Sequence, residues 1–289
     1  MDGIQGRIEK MRRLSADIRI ETIRALGEAG FGHIGGAMSI ADALGVLYGG
    51  VMNVRPDDPQ WEGRDFLVMS KGHSGPALYA ALALTGFFPM GWLKTINKPG
   101  TMLPSHCDRL KTPGVDMTTG SLGQGISMAV GLALANRIKK NGQWTYCIIG
   151  DGETQEGQVW EAVSSAASLS LDRFILLVDY NKIQLDGLLD EINKPFDLAS
   201  KFAAFGFFAQ KVKGYDAGEI YEGIMAAKSA KRPSAILLDT YKGLGCSFAE
   251  GVFNHYMYIT KEMADKAIED IESRYAGGTY PAGNFSWRS

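Results

Sequence analysis

Short apolar runs alternate along the chain with longer stretches of helical periodicity, and this alternation limits the fold more than any other feature. Phe66 to Met69, Trp144 to Ile149, Phe174 to Asp179 and Ser234 to Thr240 read as buried strands. Gly75 to Leu84, Ile126 to Ile138, Val159 to Leu169 and Ala217 to Ala230 read as helices set between or beside them. Ile8, Met11, Leu14, Ile18, Ile23 and Leu26 recur at helical spacing, so the chain opens on one long amphipathic helix that ends in Gly27, Gly30 and Gly32. Ser39 is expected to cap a second helix whose apolar face includes Ile40, Leu44 and Leu47. Strands alternating with helices build right-handed βαβ units. The expected fold is therefore α/β, a three-layer domain with a mostly parallel sheet flanked by helices. No repeat or linker divides the chain, so residues 1–276 are read as one domain and 277–289 as a polar, aromatic-flecked tail.

Composition removes several function classes. Of 289 residues, 45% are hydrophobic and 21% charged, which suits a packed globule and excludes disorder as the main state. Thirty basic and 32 acidic residues leave a net charge of −2, with no general pull toward nucleic acid or an anionic membrane. Apolar runs such as Phe174 to Val178 are far too short to span a bilayer, and Met1 to Arg13 lacks the apolar block of a secretory signal. The cysteines Cys107, Cys147 and Cys246 show no paired spacing, which points to a reduced, cytoplasmic setting.

The sharpest local signal is Gly150-Asp151-Gly152-Glu153-Thr154-Gln155-Glu156-Gly157, which follows a strand and opens a helix. In a parallel sheet, ligands gather at the carboxyl ends of strands, where helix N-termini favour anions. Glycines there let the backbone approach a phosphate, and Asp151 offers a hard oxygen to Mg²⁺ or Ca²⁺. An Asp-Gly turn with a helix-capping acid explains the same stretch equally well. The next strand breaks the tie, because it ends in Asp179-Tyr180-Asn181-Lys182-Ile183. Adjacent strand ends would bring Asp151, the Asn181 amide oxygen and a nearby backbone carbonyl to one point. No Gly-Lys-Ser/Thr phosphate loop and no dinucleotide fingerprint after a first strand occur in the chain. Residues 97–125 hold little regular pattern, and so long a loop inside a domain is usually functional. The four histidines, His33, His73, His106 and His255, all sit in loop-like contexts, and His is the usual proton handler near neutral pH.

Gly-Asp-Gly with Asn about thirty residues on resembles the thiamine diphosphate motif, and its continuation through Gln158-Val159-Trp160-Glu161-Ala162 resembles the transketolase family. The resemblance extends to Gly32-His33-Ile34-Gly35-Gly36, Ser70-Lys71-Gly72-His73-Ser74 and the run Thr112 to Gly125. It implies the thiamine diphosphate-binding fold, and transfer of a two-carbon ketol unit from a ketose, expected to be phosphorylated, to an aldose. By resemblance, His33, His73, His106 and His255 surround the thiazolium and the sugar oxygens as catalytic residues. Asp151, Asn181 and the carbonyl of Ile183 match the metal ligands for Mg²⁺ or Ca²⁺. His73, Gly120, Ser121, Leu122, Gly152, Glu153, Glu156, Asn181 and His255 match cofactor-binding positions. Glu156 and Glu161 match acids buried between paired active sites, and the small-residue helices after Gly120 and Gly152 match a self-association face. Relatives often carry His-Pro where this chain has His33-Ile34, His-Pro-acid at His106-Cys107-Asp108, a second Lys at Leu244, and Trp-His at Asn254-His255. Cys107 is read as a small buried filler.

The carboxylate that activates the aminopyrimidine belongs, in this family, to a pyrimidine-binding domain that the sequence does not show. The resemblance therefore implies the N-terminal subunit of a split transketolase, inactive alone, working with a C-terminal subunit that carries the catalytic Glu, in an α₂β₂ assembly. Competing expectations are a subunit of another thiamine diphosphate enzyme, a 2-oxo acid dehydrogenase E1 α chain or a deoxyxylulose-phosphate synthase-like protein, and a non-catalytic thiamine diphosphate-binding homologue.

Overall fold

The computed structural model describes residues 3–251 and 254–280. In chain order the regular elements are α1 (Ile4–Ala29), β1 (Phe31–Gly32), α2 (Gly35–Met38), α3 (Ala41–Val46), β2 (Phe66–Met69), α4 (Gly75–Leu84), α5 (Gln124–Lys139) and β3 (Thr145–Gly150). There follow α6 (Gly157–Ser168), β4 (Phe174–Tyr180), β5 (Ile183–Gln184), β6 (Gly187–Leu188), α7 (Leu189–Ile192), α8 (Leu198–Ala204), β7 (Phe208–Lys213), α9 (Ala217–Ser229), β8 (Ser234–Asp239), β9 (Met257–Tyr258) and α10 (Lys261–Ala276). Five strands form one sheet in the order β2-β3-β4-β8-β7, and every neighbouring pair is parallel.

The strands are apolar on both faces because both faces are covered. Leu67, Met69, Tyr146, Ile148, Ile175, Leu177, Ile236 and Leu238 point into a core shared with α1, α3, α4, α9 and α10. Their sequence neighbours Val68, Cys147, Ile149, Leu176, Val178, Ala235 and Leu237 point the other way, against α5, α6 and α8. Side chains alternate across a pleated strand, so continuous apolar runs such as Phe174 to Val178 feed two cores at once. This is the three-layer α/β arrangement expected from the sequence. Several elements go beyond that expectation, and two of them are long enough to matter to the layers. β7 is a half-exposed edge strand with lysines at 211 and 213, which hides its strand character. α10 has a mixed-charge outer face and is capped by the Thr260 side chain.

One expected cap is corrected. Ser39 does not cap α3, which starts after Ile40 without a side-chain cap. Its hydroxyl donates instead to the Asp179 carboxylate at 2.7 Å and to the Gly36 carbonyl at 3.1 Å. The hydroxyl is turned toward a buried carboxylate at the end of β4, so its oxygen accepts no N–H from the start of α3.

The expected tail, 277–289, lies outside the described residues beyond Tyr280. The part that is described docks on the domain. Tyr280 is buried, its carbonyl accepts from Arg12 at 2.7 Å, and its hydroxyl accepts from Arg19. Arg19 is fully buried and also donates to Asp42 at 2.6 Å and to the Leu244 carbonyl at 2.9 Å. One guanidinium thus ties α1, α3, the loop after β8 and the segment after α10 together. Replacing Asp42 with alanine strands that charge, which costs roughly 3–5 kcal/mol for a buried pair. Urea unfolding of the chain should show this as a lower midpoint, and an unchanged midpoint would deny the pair its structural role.

Candidate active site at the carboxyl edge of the sheet

The carboxyl ends of β2, β3, β4 and β8 open onto one cavity of about 170 Å³, lined among others by Lys71, His73, Leu122, Asp151, Asn181 and Lys242. Parallel pairing explains the convergence. Gly150 is in register with Asp179, so Asp151 follows on β3 where Tyr180 and Asn181 follow on β4. The Asp151 amide closes the edge by donating to the Asp179 carbonyl at 3.1 Å. Asp151 is buried, and its two carboxylate oxygens accept from Gly152 N at 2.8 Å and Lys182 N at 2.6 Å. Asn181 accepts from Ile183 N at 3.0 Å and donates to Asp179 at 2.8 Å. Asp151, Asn181 and Ile183 all line the cavity.

Electrostatics show what this floor lacks. Burial, and then the charge of Asp179, push the Asp151 carboxyl up to about 7. Asp179 Oδ1 and Gln184 Oε1 are buried without a hydrogen-bond partner, and both residues line the cavity. Two facing carboxylates, an amide oxygen and unsatisfied acceptors form a hard-oxygen set that fits a divalent cation. Two ammonium groups stand opposite them. Lys71 is buried, 2.5 Å from Asp179 and 2.8 Å from the Gly36 carbonyl. Lys242 donates to the Leu185 carbonyl, lies 3.4 Å from His255 Nδ1, and is brought down by burial to about 8. Ammonium groups beside a floor that fits a divalent cation suit an anionic ligand such as a diphosphate. Neither lysine stands out in the sequence. Both sit beside glycines in runs whose other residues carry the motif, and only the fold buries them.

The four histidines meet above this floor. The His33 ring lies 5.7 Å from His73, 5.4 Å from His106 and 5.1 Å from His255, and His73 lies 5.0 Å from His255. Burial, with the neighbouring His106 and Lys242, lowers His33 to about 4. Burial, with Lys242 and His33, does the same for His255, to about 4. His73 and His106 are lowered as well, chiefly by burial. At neutral pH the rings are uncharged, so each offers one donor and one acceptor to a hydroxylated ligand.

The long loop that carries His106 is irregular yet fastened. The Asp116 carboxylate accepts from Leu67 N at 2.8 Å and Arg64 at 3.1 Å, and the Thr119 hydroxyl donates to the Met69 carbonyl at 2.6 Å. Gly72 lies so close that a Cβ there would meet the Thr119 carbonyl oxygen at 2.6 Å. Cys107 is buried, with its thiol pushed up to about 12 by burial, which makes it an inert filler. Gly120 lies against the His106 ring, and Leu122 lines the cavity.

The remaining expected positions are placed differently. Glu153 faces the cavity, but its carboxylate is taken up by the Ser70 hydroxyl, Gly123 N at 2.9 Å and Gly150 N at 3.1 Å. It locks the turn after β3 to the start of α5. Ser121, Glu156 and Glu161 are exposed on this chain and do not line the cavity.

Comparison with known proteins settles the family. The transketolase, thiamine diphosphate binding domain family matches residues 10–276. The chain belongs to the transketolase family. It is 50% identical over 261 residues to the 6-deoxy-6-sulfo-D-fructose transketolase subunit SqwG of Clostridium sp. (strain MSTE9), covering 90% of this chain and 95% of that one. It is 36% identical over 272 residues to an apulose-4-phosphate transketolase subunit from Actinobacillus succinogenes, covering 94% and 96%. The solved transketolase from Leishmania mexicana superposes with a TM-score of 0.84 at 32% identity, over 95% of this chain but 42% of that one. The chain therefore spans under half of the solved transketolases it resembles, and nearly all of the subunit-sized relatives. It is a transketolase subunit with a thiamine diphosphate-binding domain, in a family of transferases, and the alternative thiamine enzymes are set aside.

Proposed function

We propose that residues 1–276 form the diphosphate- and metal-binding half of a two-subunit transketolase. In it, Asp151, Asn181 and the Ile183 carbonyl would hold Mg²⁺ or Ca²⁺. Gly152, His73, His255 and the two lysines would face the diphosphate. Gly120 and Leu122 would flank the thiazolium, with Glu153 fixing the turn after β3. Ser121 and Glu156, exposed on this chain, would meet the cofactor site only at an assembled interface. The observation that carries this reading is the meeting of four neutral histidines over a floor of buried carboxylates at one strand edge. Thiamine diphosphate, when bound, supplies the electron sink for breaking the bond between C2 and C3 of a ketose. The chain's own residues have simpler tasks. His33, His106 and His255 hold the sugar hydroxyls and move their protons, and the apolar Leu122 excludes water from one wall.

The partner is proposed to be a separate pyrimidine-domain subunit bearing the catalytic Glu, in an α₂β₂ complex. Exposure of Glu156 and Glu161 on this chain is what a self-association face would leave uncovered. A cytoplasmic setting is supported by three free, buried cysteines. No helix among the described residues is long and apolar enough to cross a membrane. For the donor, the SqwG relative bears the name of a sulfonated ketose. We therefore propose a ketose with an anionic terminal group, sulfonate first and phosphate second.

Purified alone, the chain is expected to transfer no ketol unit, and addition of the cognate second subunit with thiamine diphosphate and Mg²⁺ is expected to restore transfer. Because a ligand across an interface stabilises the assembled form, cofactor should also tighten the complex. A reconstitution assay scored by sugar product, with 6-deoxy-6-sulfo-fructose and fructose 6-phosphate as donors, checks both points. Robust transfer by this chain alone would overturn the two-subunit reading.

A further inference from the structure

His255 and Lys242 stand at the two ends of the loop that follows β8, and both arms of that loop are tied to one residue. The Gly35 amide donates to the Asn254 carbonyl at 3.0 Å, and the Gly35 carbonyl accepts from Gly243 N at 3.0 Å. Gly35 is also two residues from His33. A single residue thus links the backbone around three side chains that face the sugar or the diphosphate in the proposed site.

The side chain that makes this junction possible is Asn254. It is buried and does not line the cavity. Its amide nitrogen donates to the Gly251 carbonyl at 2.8 Å and to the Ala249 carbonyl, folding the loop back on itself just before His255. Its Oδ1 is buried with no hydrogen-bond partner. That oxygen lies against Gly35 instead, where a Cβ would meet it at 2.5 Å and meet the Asn254 carbonyl oxygen at 2.8 Å. A buried acceptor is normally satisfied, so the position uses the two amide donors at the expense of the oxygen. On the far side, His255 N donates to Asp186 at 3.1 Å. The His255 backbone is therefore held on both flanks, and the Asn254 flank depends on a side chain that never reaches the ligand.

We propose that Asn254 is a positioning residue for the transfer reaction, acting through His255 by fixing the loop turn and its junction with Gly35. Asn254→Asp is nearly isosteric, yet it sets a carboxylate against two carbonyl oxygens that now receive donors. The inference rests on the proposed ketol transfer, and the tests keep the two separable. In the reconstituted complex, Asn254→Asp should lower kcat by about 10- to 100-fold, as small misplacements of a reacting group do. Thiamine diphosphate affinity should fall by less than kcat does, since Gly152, His73 and the two lysines keep their places around the cavity.

A double-mutant cycle separates positioning from general damage. In a His255→Ala background, Asn254→Asp should change kcat by less than about twofold, because its route is already cut. The full loss persisting without His255 would overturn the proposal, as would unchanged kcat in the single variant. The free chain gives a readout independent of turnover: the His255 ring resonance should shift in Asn254→Asp while the His106 resonance stays in place. If wild-type complex shows no transfer, the proposed function fails while this ring shift still decides the positioning claim. Should Asn254→Asp not fold, Asn254→Ser, which adds no charge, should show a smaller loss with the same dependence on His255; equal losses with and without His255 would end the proposal.

Discussion

Asp151→Ala is expected to abolish Mg²⁺-dependent binding of thiamine diphosphate to the assembled complex. Asp151 is buried at the end of β3, where burial and Asp179 already raise its carboxyl to about 7. A group held so high is short of positive charge, and a divalent cation would draw it back to the ionised form. Alanine removes that charge and also frees Gly152 N and Lys182 N, the two backbone donors that the Asp151 carboxylate now holds. Loss of supporting groups around a metal commonly costs about 10- to 100-fold in affinity, and loss of the charged ligand itself should exceed about 100-fold. Titration calorimetry on wild-type and mutant complexes measures this directly. Equal cofactor affinity would remove Asp151 from the metal site. Asp151→Asn, which keeps an oxygen toward Gly152, separates the charge from the tether.

His106→Ala should instead leave cofactor binding nearly intact and slow transfer. The His106 ring stands 5.4 Å from His33, half-buried, and is not part of the cavity lining. Burial lowers its pKa, so a substrate bound there would meet a neutral ring that offers one donor and one acceptor. Removing a positioned proton-handling group costs on the order of 10²–10⁴-fold in rate. Steady-state kinetics of the reconstituted enzyme should place the loss in kcat, with the cofactor isotherm superimposable on wild type. Normal turnover in the mutant would take His106 out of the mechanism.

Some of this site can be read along the chain and some cannot, for physical reasons. Asp151 and Asn181 are legible because each follows an apolar run, and parallel pairing of adjacent strands puts such residues side by side. The histidines are legible only as loop residues of a familiar pattern. Nothing in their spacing foretells rings about 5 Å apart, since the convergence of four loops is a property of the folded sheet edge. Lys71 and Lys242 fall within runs of a familiar pattern, yet nothing along the chain marks either as a buried charge. Their burial depends on Asp179 and on the Leu185 carbonyl, which are remote in sequence. Ser39 reads as a cap for the helix beside it, and a remote carboxylate takes its hydroxyl instead. β7 is hidden because it lacks the continuous apolar run of the buried strands, and α10 because charge covers its outer face.

That edge strand has a consequence for how copies of the chain can meet. β7 borders the sheet and offers a backbone edge, the kind of template on which chains stack into aggregates. Lys211 and Lys213 stud this rim, held out by Asp239 at 3.2 Å and Glu219 at 2.8 Å. An incoming strand would have to strip water from both ammonium groups, so the rim repels growth of the sheet from one molecule into the next. Sheet extension through β7 is therefore disfavoured, and copies of this chain are expected to meet through other surfaces.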